Sequence, residues 1–511
     1  MSINTSIGNS ISKRKMLGKK NELKKTKWFN DIVFIYVGIV ILIYLLMMIA
    51  PFKSAISKTP LYHISAYLGA LGGLLILFDA FIDKGFLRGT HCILLFGICV
   101  IACLSAIRTK QYGLHDNIYD ICWVCIQFAL VYSCAFRAEK QQIFKFCYIV
   151  FPILICIWFV ACSVSLYQFI YQIGYRYIVD TVSTNPELTR QGFYNHRLFG
   201  IFTGLDYAVY ISLALSICSV YFWSKTKLVI KKIVLSLMLF AFLMHIILSG
   251  SRSVQISLIL YVFFFAWLQM RNHCKVNSFK QIAIRCIASI LVAAISVAAI
   301  FGLKELAQRV PNIVNTAVIV QKDNENSNSL NKSTNKNEDS DDLLEREGLE
   351  GDISNERFDI WKDYIGLYKD ISFVGLSLSN YNDYIMDKYP NLYITQYFQE
   401  DYGNSQKTDI VYESHNNYIF VFVSVGVLGM LLFIAYMLIV AVQTIKYICI
   451  NKQLSQEFIA ALAIVCIGLV EALFMNSVFL KINAPSFLFW LAIGYLMYEI
   501  SNSNANQATE I

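Results

Sequence analysis

The chain has 511 residues, of which 57% are hydrophobic and only 15% charged. Water-soluble domains carry about 25% charged residues, so a soluble globule is excluded and a polytopic membrane protein is indicated. The net charge of +8 does not point to nucleic acid, because basic residues gather in the loops on one side of a membrane protein.

Taken in chain order, residues 1–31 are polar and basic. The apolar run behind them is too long for a signal h-region and has no small-residue cleavage site, so a retained cytoplasmic N-terminus is expected. Twelve apolar stretches follow, each about long enough to cross a hydrocarbon core of about 30 Å. They are Ile32–Ala50, Ile64–Ile82, His91–Ile107, Ile118–Phe136, Phe146–Phe169, Phe199–Trp223, Ile233–Ser249, Val254–Met270, Ile282–Leu303, Asn417–Val442, Phe458–Met475 and Pro485–Glu499. The expected fold is all-α. A nine-span region (32–303) and a three-span region (417–499) are separated by one large extracytoplasmic loop (304–416), and residues 500–511 form a cytoplasmic tail. Most of the fourteen cysteines lie inside apolar runs, where cysteine behaves as a small hydrophobe. Cys122-x-x-Cys125 is read the same way, rather than as a redox or metal pair.

Orientation follows from the lysines and arginines. Lys13 to Lys27, Arg137, Lys140, Lys145, Lys225 to Lys232 and Arg271 to Arg285 fall on one side. The short loops of the other side hold few, among them Arg197, Arg252 and Lys481. The positive-inside rule puts the first group, and both termini, in the cytoplasm. Within the long loop, 321–351 is rich in Asn, Ser, Asp and Glu and is expected to be disordered. The part 353–412 is expected to be folded and helical, with Phe358, Trp361, Ile365 and Tyr368 on one face, against the membrane surface or neighbouring helices.

Four features then share the outer side: the loop Gly174–Leu198, the turn Ser249-Gly250-Ser251-Arg252-Ser253, the helix beginning near Arg357, and Ser414-His415-Asn416-Asn417. Two roles fit Arg252. It is an interfacial anchor, or a phosphate clamp whose planar guanidinium matches phosphate oxygens. Arg357 fits a surface pair with Glu356 or Asp359 equally well. His415 fits helix capping, with Ser414, Asn416 or Asn417 as the cap. It also fits general-base work, since the positive end of the helix disfavours imidazolium and keeps the ring neutral. Asp206 lies in a span, where a carboxylate is costly; base, sugar ligand and arginine partner all fit, and pairing is favoured. Gly426 and Gly429 offer a small face for close helix contact. The chain has no Walker A loop, zinc spacing, nucleophile elbow or dinucleotide fingerprint, so neither nucleotide-sugar chemistry nor a metal is indicated.

Together, Ser249-Gly250-Ser251-Arg252, Arg357-x-x-x-Trp361, Phe373-Val374-Gly375-Leu376-Ser377 and His415-Asn416 with Gly426-x-x-Gly429 resemble the O-antigen ligase and Wzy-type polysaccharide polymerase superfamily. The resemblance runs from about Arg197 to Val440. It implies transfer of a glycan from a polyprenyl-diphosphate carrier to a sugar hydroxyl at the outer face of the cytoplasmic membrane, without metal or cofactor. Carried over, Arg252 and Arg357 bind the diphosphate and His415 activates the acceptor. Arg197, Asp206, Asn416 and Trp361 become substrate contacts. The implied partners are the lipid-linked oligosaccharide donor, a carrier-linked glycan or other acceptor, a flippase and a chain-length regulator. The sequence departs from the family's pattern after Arg197-Leu198-Phe199-Gly200, where Leu205-Asp206 stands in place of Pro-Asn, and in the added acidic tract 321–351. Three functions remain open: a repeat-unit polymerase for capsular or exopolysaccharide, a ligase delivering a finished glycan to a lipid, protein or wall acceptor, and a lipid-linked oligosaccharide transporter. The tyrosine-rich loop, with Tyr364, Tyr368, Tyr381, Tyr384, Tyr389, Tyr393, Tyr397, Tyr402 and Tyr412, suits sugar stacking as well as an interface.

Overall fold

The computed structural model describes residues 27–83, 91–178, 188–194, 196–273, 279–325, 357–396 and 414–509. The basic segment 1–26, residues 326–351 of the acidic insertion, and Tyr397, Tyr402 and Tyr412 lie outside the described residues. The first half of the chain forms α1 (Lys27–Met47), α2 (Ala50–Ser57), α3 (Ile64–Asp83), α4 (Cys92–Arg108), α5 (Leu114–Arg137) and α6 (Lys140–Ile170). Three strands follow: β1 (Gly174–Ile178), β2 (Leu188–Tyr194) and β3 (Arg197–Gly200). Then come α7 (Leu205–Lys225), α8 (Val229–Leu248), α9 (Arg252–His273) and α10 (Phe279–Glu325). The loop region carries α11 (Arg357–Gly366), α12 (Tyr368–Ile371) and α13 (Tyr381–Lys388). The chain closes with α14 (Asn417–Ile450), α15 (Gln456–Glu471) and α16 (Ala484–Thr509).

A helix occupies each of the twelve apolar stretches. Among the described residues, nine helices are long and apolar enough to cross a membrane. This is a multi-pass, overwhelmingly helical membrane protein. The burial pattern explains the assembly. Helix α7 is buried almost all round from Ala208 to Ser219, and α16 from Ser486 to Leu496, as befits helices at the centre of a bundle. Peripheral helices instead turn large apolar side chains outward, such as Leu71, Leu74 and Phe81 on α3 and Ile287, Leu291 and Ile295 on α10. That is the surface a hydrocarbon solvent requires. One buried charge pair is made inside the bundle: Arg137 grips Asp79 with two bonds of 3.2 and 2.9 Å, a bidentate geometry that repays desolvation.

The structure departs from the expected elements in four places. First, the segment after α6 is a three-stranded antiparallel sheet in the order β1-β2-β3, not loop. Its Tyr, Thr and Phe residues favour strand, and β3 alternates half-buried and buried residues. Phe199 therefore belongs to a strand, and the sixth apolar helix begins only at Leu205. Second, α10 runs on to Glu325, so the first twenty or so residues of the expected loop, and the start of the 321–351 tract, are helix. At 47 residues and 1.5 Å per residue it is about 70 Å long, more than twice a hydrocarbon core.

Third, the face of the loop helices that packs on the protein is not the Phe358–Tyr368 face, which stays available to the membrane surface. Ile360, Tyr364, Leu367 and Ile371 face inward, while Phe358, Ile365 and Tyr368 are exposed. Both sets recur at three- and four-residue steps, so periodicity alone fits either. Tyr364 and Tyr381 are not sugar platforms. Both are buried: Tyr364 packs on Tyr381 at a ring-centroid distance of 6.2 Å, and Tyr381 packs edge-on against Phe420 of α14 at 5.9 Å. Nearby, Tyr384 and Tyr389 both donate to the Asp370 carboxylate. That bond pushes the Tyr389 phenol up to about 12, so it remains a donor at neutral pH.

Fourth, α14 is broken at Gly426, which adopts φ +66° and ψ −167°. The backbone of Ser372–Ser377 lies in the break. Leu376 N donates to Val423 O (2.7 Å) and Ser377 N to Ser424 O (3.2 Å). In return Val427 N donates to Ser372 O (3.2 Å) and Leu428 N to Phe373 O (3.0 Å). Backbone groups freed by a kink in a membrane helix must find partners, and here the loop supplies them. Arg108 fastens the same loop from α4, donating to the carbonyls of Asp370, Ile371 and Gly375. Gly429 does make a close helix contact, facing Ile101 of α4.

Candidate active site

One end of the bundle collects the starts of α7, α9, α11 and α14 and the end of α15. The turn between α8 and α9 is built on Gly250, whose φ of +64° requires glycine. Ser249 Oγ donates to Ile246 O (2.7 Å) and accepts from Ser251 N (3.2 Å). Arg197, the first residue of β3, reaches across. Its Nε donates to Ser249 O at 2.8 Å. Its Nη2 sits 3.7 Å from Asp206 Oδ1, and Ser251 Oγ donates to the same oxygen at 3.3 Å. Asp206 occupies the first turn of α7, where the helix field favours an anion. The expected arginine partnership of Asp206 is therefore met, with Arg197 as the partner. Both residues hold the turn from which Arg252 projects.

Arg252 itself is exposed and has no hydrogen bond or ion pair to any described residue. A guanidinium left unpaired at the mouth of a membrane helix is poised for an anion. Arg357 opens α11 and is half-buried. Trp361, one turn on, donates from Nε1 to Ser414 O at 2.8 Å, which ties the arginine helix to the residue before His415. Phe358 packs edge-on against the Trp361 ring.

His415 is held in the left-handed region, φ +47°, at a cost of about 1–2 kcal/mol for a non-glycine residue. Its neighbours fix it there. Ser414 is buried, and its Oγ donates to Asn416 O (2.7 Å) and lies 3.1 Å from Asn476 Oδ1. Asn416 is the helix cap: its Oδ1 accepts from Tyr418 N (3.0 Å) and Ile419 N (3.2 Å). Capping thus falls to Asn416, which frees the histidine from that duty and commits the asparagine oxygen to it. Asn417, fully buried, binds another segment. Its Oδ1 accepts from Val478 N (2.8 Å) and Phe479 N, and its own N donates to Ala472 O (2.7 Å). The imidazole is half-exposed on this base.

Two polar residues were underweighted in sequence. Glu471 ends α15, is 0% exposed, and accepts from Ser257 Oγ at 2.6 Å. It stands out as one of the rare acids in an apolar run, a signal that gives no partner. His245, near the end of α8, is equally buried. Its Nδ1 lies 2.9 Å from Ser212 Oγ, and its Nε2 has no hydrogen-bond partner among the described residues.

The geometry is therefore an exposed guanidinium unpaired among the described residues, a second arginine on a docked helix, and a strained histidine, all at one end of an apolar bundle. That arrangement can bind a lipid-borne anion and activate a hydroxyl. No curated protein matches the chain. A family model described as O-antigen ligase matches residues 237–434, a stretch that contains Arg252, Arg357, His415 and the Gly426 break and ends before Glu471. This stretch of the chain thus carries a domain similar to that of the O-antigen ligase and Wzy-type polymerase superfamily, which supports that kinship for the protein.

Proposed function

We propose that the protein is a glycosyltransferase that moves a glycan from a polyprenyl-diphosphate carrier to an acceptor sugar hydroxyl, polymerising the repeat units of a capsular or exopolysaccharide. Arg252, exposed and without a partner among the described residues, and sharing one end of the bundle with Arg357 and His415, carries this reading. The site belongs to the outer face of the cytoplasmic membrane, with twelve spans and both termini in the cytoplasm. In the reaction, the bond between the anomeric carbon and the diphosphate oxygen breaks. The diphosphate departs with the electron pair, and the acceptor oxygen forms the new glycosidic bond. The acceptor's proton goes to the His415 imidazole. Arg252 and Arg357 neutralise the charge that grows on the leaving diphosphate, and such fixed charges act strongly where water is scarce. Trp361 and the loop helices cover the site against hydrolysis. Arg197 and Asp206 serve substrate binding by presenting the Arg252 turn, and Asn416 by presenting the histidine.

A ligase of the same superfamily, delivering the glycan once to a lipid, protein or wall acceptor, uses the same residues. A transporter is less well supported, because its sites belong at mid-membrane on broken helices. The break at Gly426 is instead filled by loop backbone. Incubating the purified protein with a defined polyprenyl-diphosphate oligosaccharide, with and without a second acceptor, tests the proposal. Growth of carrier-linked chains on donor alone marks a polymerase, and transfer only to the added acceptor marks a ligase. No transfer in either arm refutes both.

Two further outcomes are expected. Chelators leave the rate unchanged, since the arginines supply the positive charge; a strict divalent-ion requirement contradicts the arginine clamp. Arg197→Ala lowers the transfer rate about 10-fold, short of the loss from Arg252→Ala, because it loosens the turn and leaves the clamp in place. Rates compared at equal protein level decide it.

A further inference from the structure

The loop helices are apolar on two sides. Ile360, Tyr364, Leu367 and Ile371 are buried against the protein, while Phe358 and Ile365 on α11, Tyr368 on α12 and Phe373 just beyond it are each more than half exposed. A contiguous apolar face of this kind is costly in water and marks a surface that something covers. It is not the loose side of a mobile loop, because polar bonds pin the segment from several directions. Trp361 Nε1 donates to Ser414 O at 2.8 Å. Arg108 donates to the carbonyls of Asp370, Ile371 and Gly375 at 2.7–3.2 Å. Tyr384 donates to the Asp370 carboxylate at 3.2 Å. Two exposed lysines, Lys362 and Lys369, stand four and eleven residues after Phe358 and so share its side of the helix.

Phe373 identifies the cover. Its carbonyl accepts from Leu428 N at 3.0 Å, and the preceding Ser372 O accepts from Val427 N at 3.2 Å. That seats it beside the stretch of α14 where Val427, Leu428 and Leu431 are exposed. Helix α14 is long and apolar enough to cross a membrane, and the exposed leucines of such a helix face hydrocarbon. The exposed face of the loop therefore continues the lipid-facing surface of a span. Its backbone obeys the same solvent. Gly375 and Leu376 are buried in the break, their N–H groups bonded to Ile371 O and Val423 O, and Phe373 alone turns a large side chain outward there. We propose that α11, α12 and Phe373 form a wedge seated in the membrane leaflet on the side of the candidate active site. Phe358, Ile365, Tyr368 and Phe373 lie among the acyl chains, and Lys362 and Lys369 reach along their stems to phospholipid phosphates. Arg357, the first residue of α11, then stands at headgroup depth, where the diphosphate of a lipid-linked donor lies. That last step rests on the transfer reading; the lipid contact does not.

The test uses full-length protein in nanodiscs of phosphatidylethanolamine and phosphatidylglycerol. The photo-reactive residue p-benzoylphenylalanine replaces Phe358, Ile365 or Phe373, one position at a time, and captures whatever C–H bond lies against it on irradiation. Lys388 at the end of α13 is the control position. It pairs with Asp387 at 3.3 Å, which accepts from Tyr112 in the turn between α4 and α5 at 2.6 Å, so it belongs to a polar surface. The expected result is a gain of one intact phospholipid mass at 358, 365 and 373, and none at 388. Crosslinks from 358 and 365 to another segment of this chain, or to a second copy, overturn the proposal. So does a lipid adduct at 373 with none at 358 and 365, because the helices then stand clear of the bilayer. Equal lipid adducts at 388 overturn it as well, since the contact is then not specific to this face. If the Phe373 variant does not purify as a monodisperse protein, positions 358 and 365 decide against 388 alone. Lipid capture is read without turnover, so its failure leaves the transfer reading standing, and a protein that captures lipid but transfers no glycan refutes that reading alone.

Discussion

Arg252→Ala and His415→Ala are each expected to abolish visible glycan assembly while leaving the protein in the membrane at its normal level. The arginine is exposed and unpartnered among the described residues, so its removal breaks no internal contact. On the proposed reaction, its loss is felt only when the diphosphate acquires charge. Removing one such preorganised group costs on the order of 10²–10³ in rate. Loss of a general base costs on the order of 10²–10⁴. Arg252→Lys recovers only part of the activity, because an ammonium offers a point charge where the guanidinium offers a planar fork. His415 carries one complication. It sits at φ +47°, so His415→Ala retains the backbone strain and loses the ring. His415→Asn tolerates that conformation better and should restore stability without restoring turnover. Chain length on gels, normalised to membrane protein, reads both effects. Normal chain length in either alanine variant removes the residue from the site.

The apolar scaffold was legible because hydropathy is a local property. Each of the twelve stretches carries its own evidence in about 20 consecutive residues, and each is a helix here. Arg252 and His415 were legible as polar groups stranded at span ends, and Arg357 as the start of an amphipathic loop helix. What was not legible depends on distant residues. The inward face of α11 is set by what it meets, Tyr381 among it, which the spacing of Phe358, Trp361 and Ile365 does not encode. The end of α10 lies in a polar stretch where hydropathy says loop. The sheet between α6 and α7 is short, and its strand signal is masked by neighbouring membrane helices. Asp206 was read as an arginine's partner, yet its role in holding the Arg252 turn needed the geometry of Ser249 and Ser251. Glu471 was visible as an oddity, and only the packing of α9 against α15 shows what surrounds it. Gly426 and Gly429 looked alike in sequence; one is a helix contact and the other a break.

That break supports the second large expected effect. Gly426→Ala should destabilise the protein by several kcal/mol and disconnect Arg357 from His415. A Cβ at Gly426 meets Gly375 N at 2.4 Å and Phe373 O at 2.6 Å. These are backbone atoms, which have no rotamer through which to yield. The φ of +66° with ψ −167° adds about 1–3 kcal/mol of strain for any residue with a side chain. The reciprocal change, Gly375→Ala, meets Ser424 O at 2.4 Å and Gly426 N at 2.6 Å, and should behave alike. The double variant should then cost less than the sum of the two, because either alone already expels the loop segment from the break. Gly302→Ala is the control, since nothing lies within 4 Å of its Cβ, and alanine suits a helix interior better than glycine. The measurement is thermal unfolding in detergent, paired with protease cleavage between α11 and α14. An intact melting temperature with unchanged protease resistance in Gly426→Ala contradicts the docking account. The functional consequence follows from the geometry. Ser372–Ser377 is the rigid link between the helix bearing Arg357 and the helix preceded by His415. A loop that no longer seats in α14 keeps Arg252, Arg357 and His415 and loses their alignment. Transfer should therefore fall by at least the 10²-fold that misplacement of about 1 Å costs, even in the fraction of molecules that remains folded.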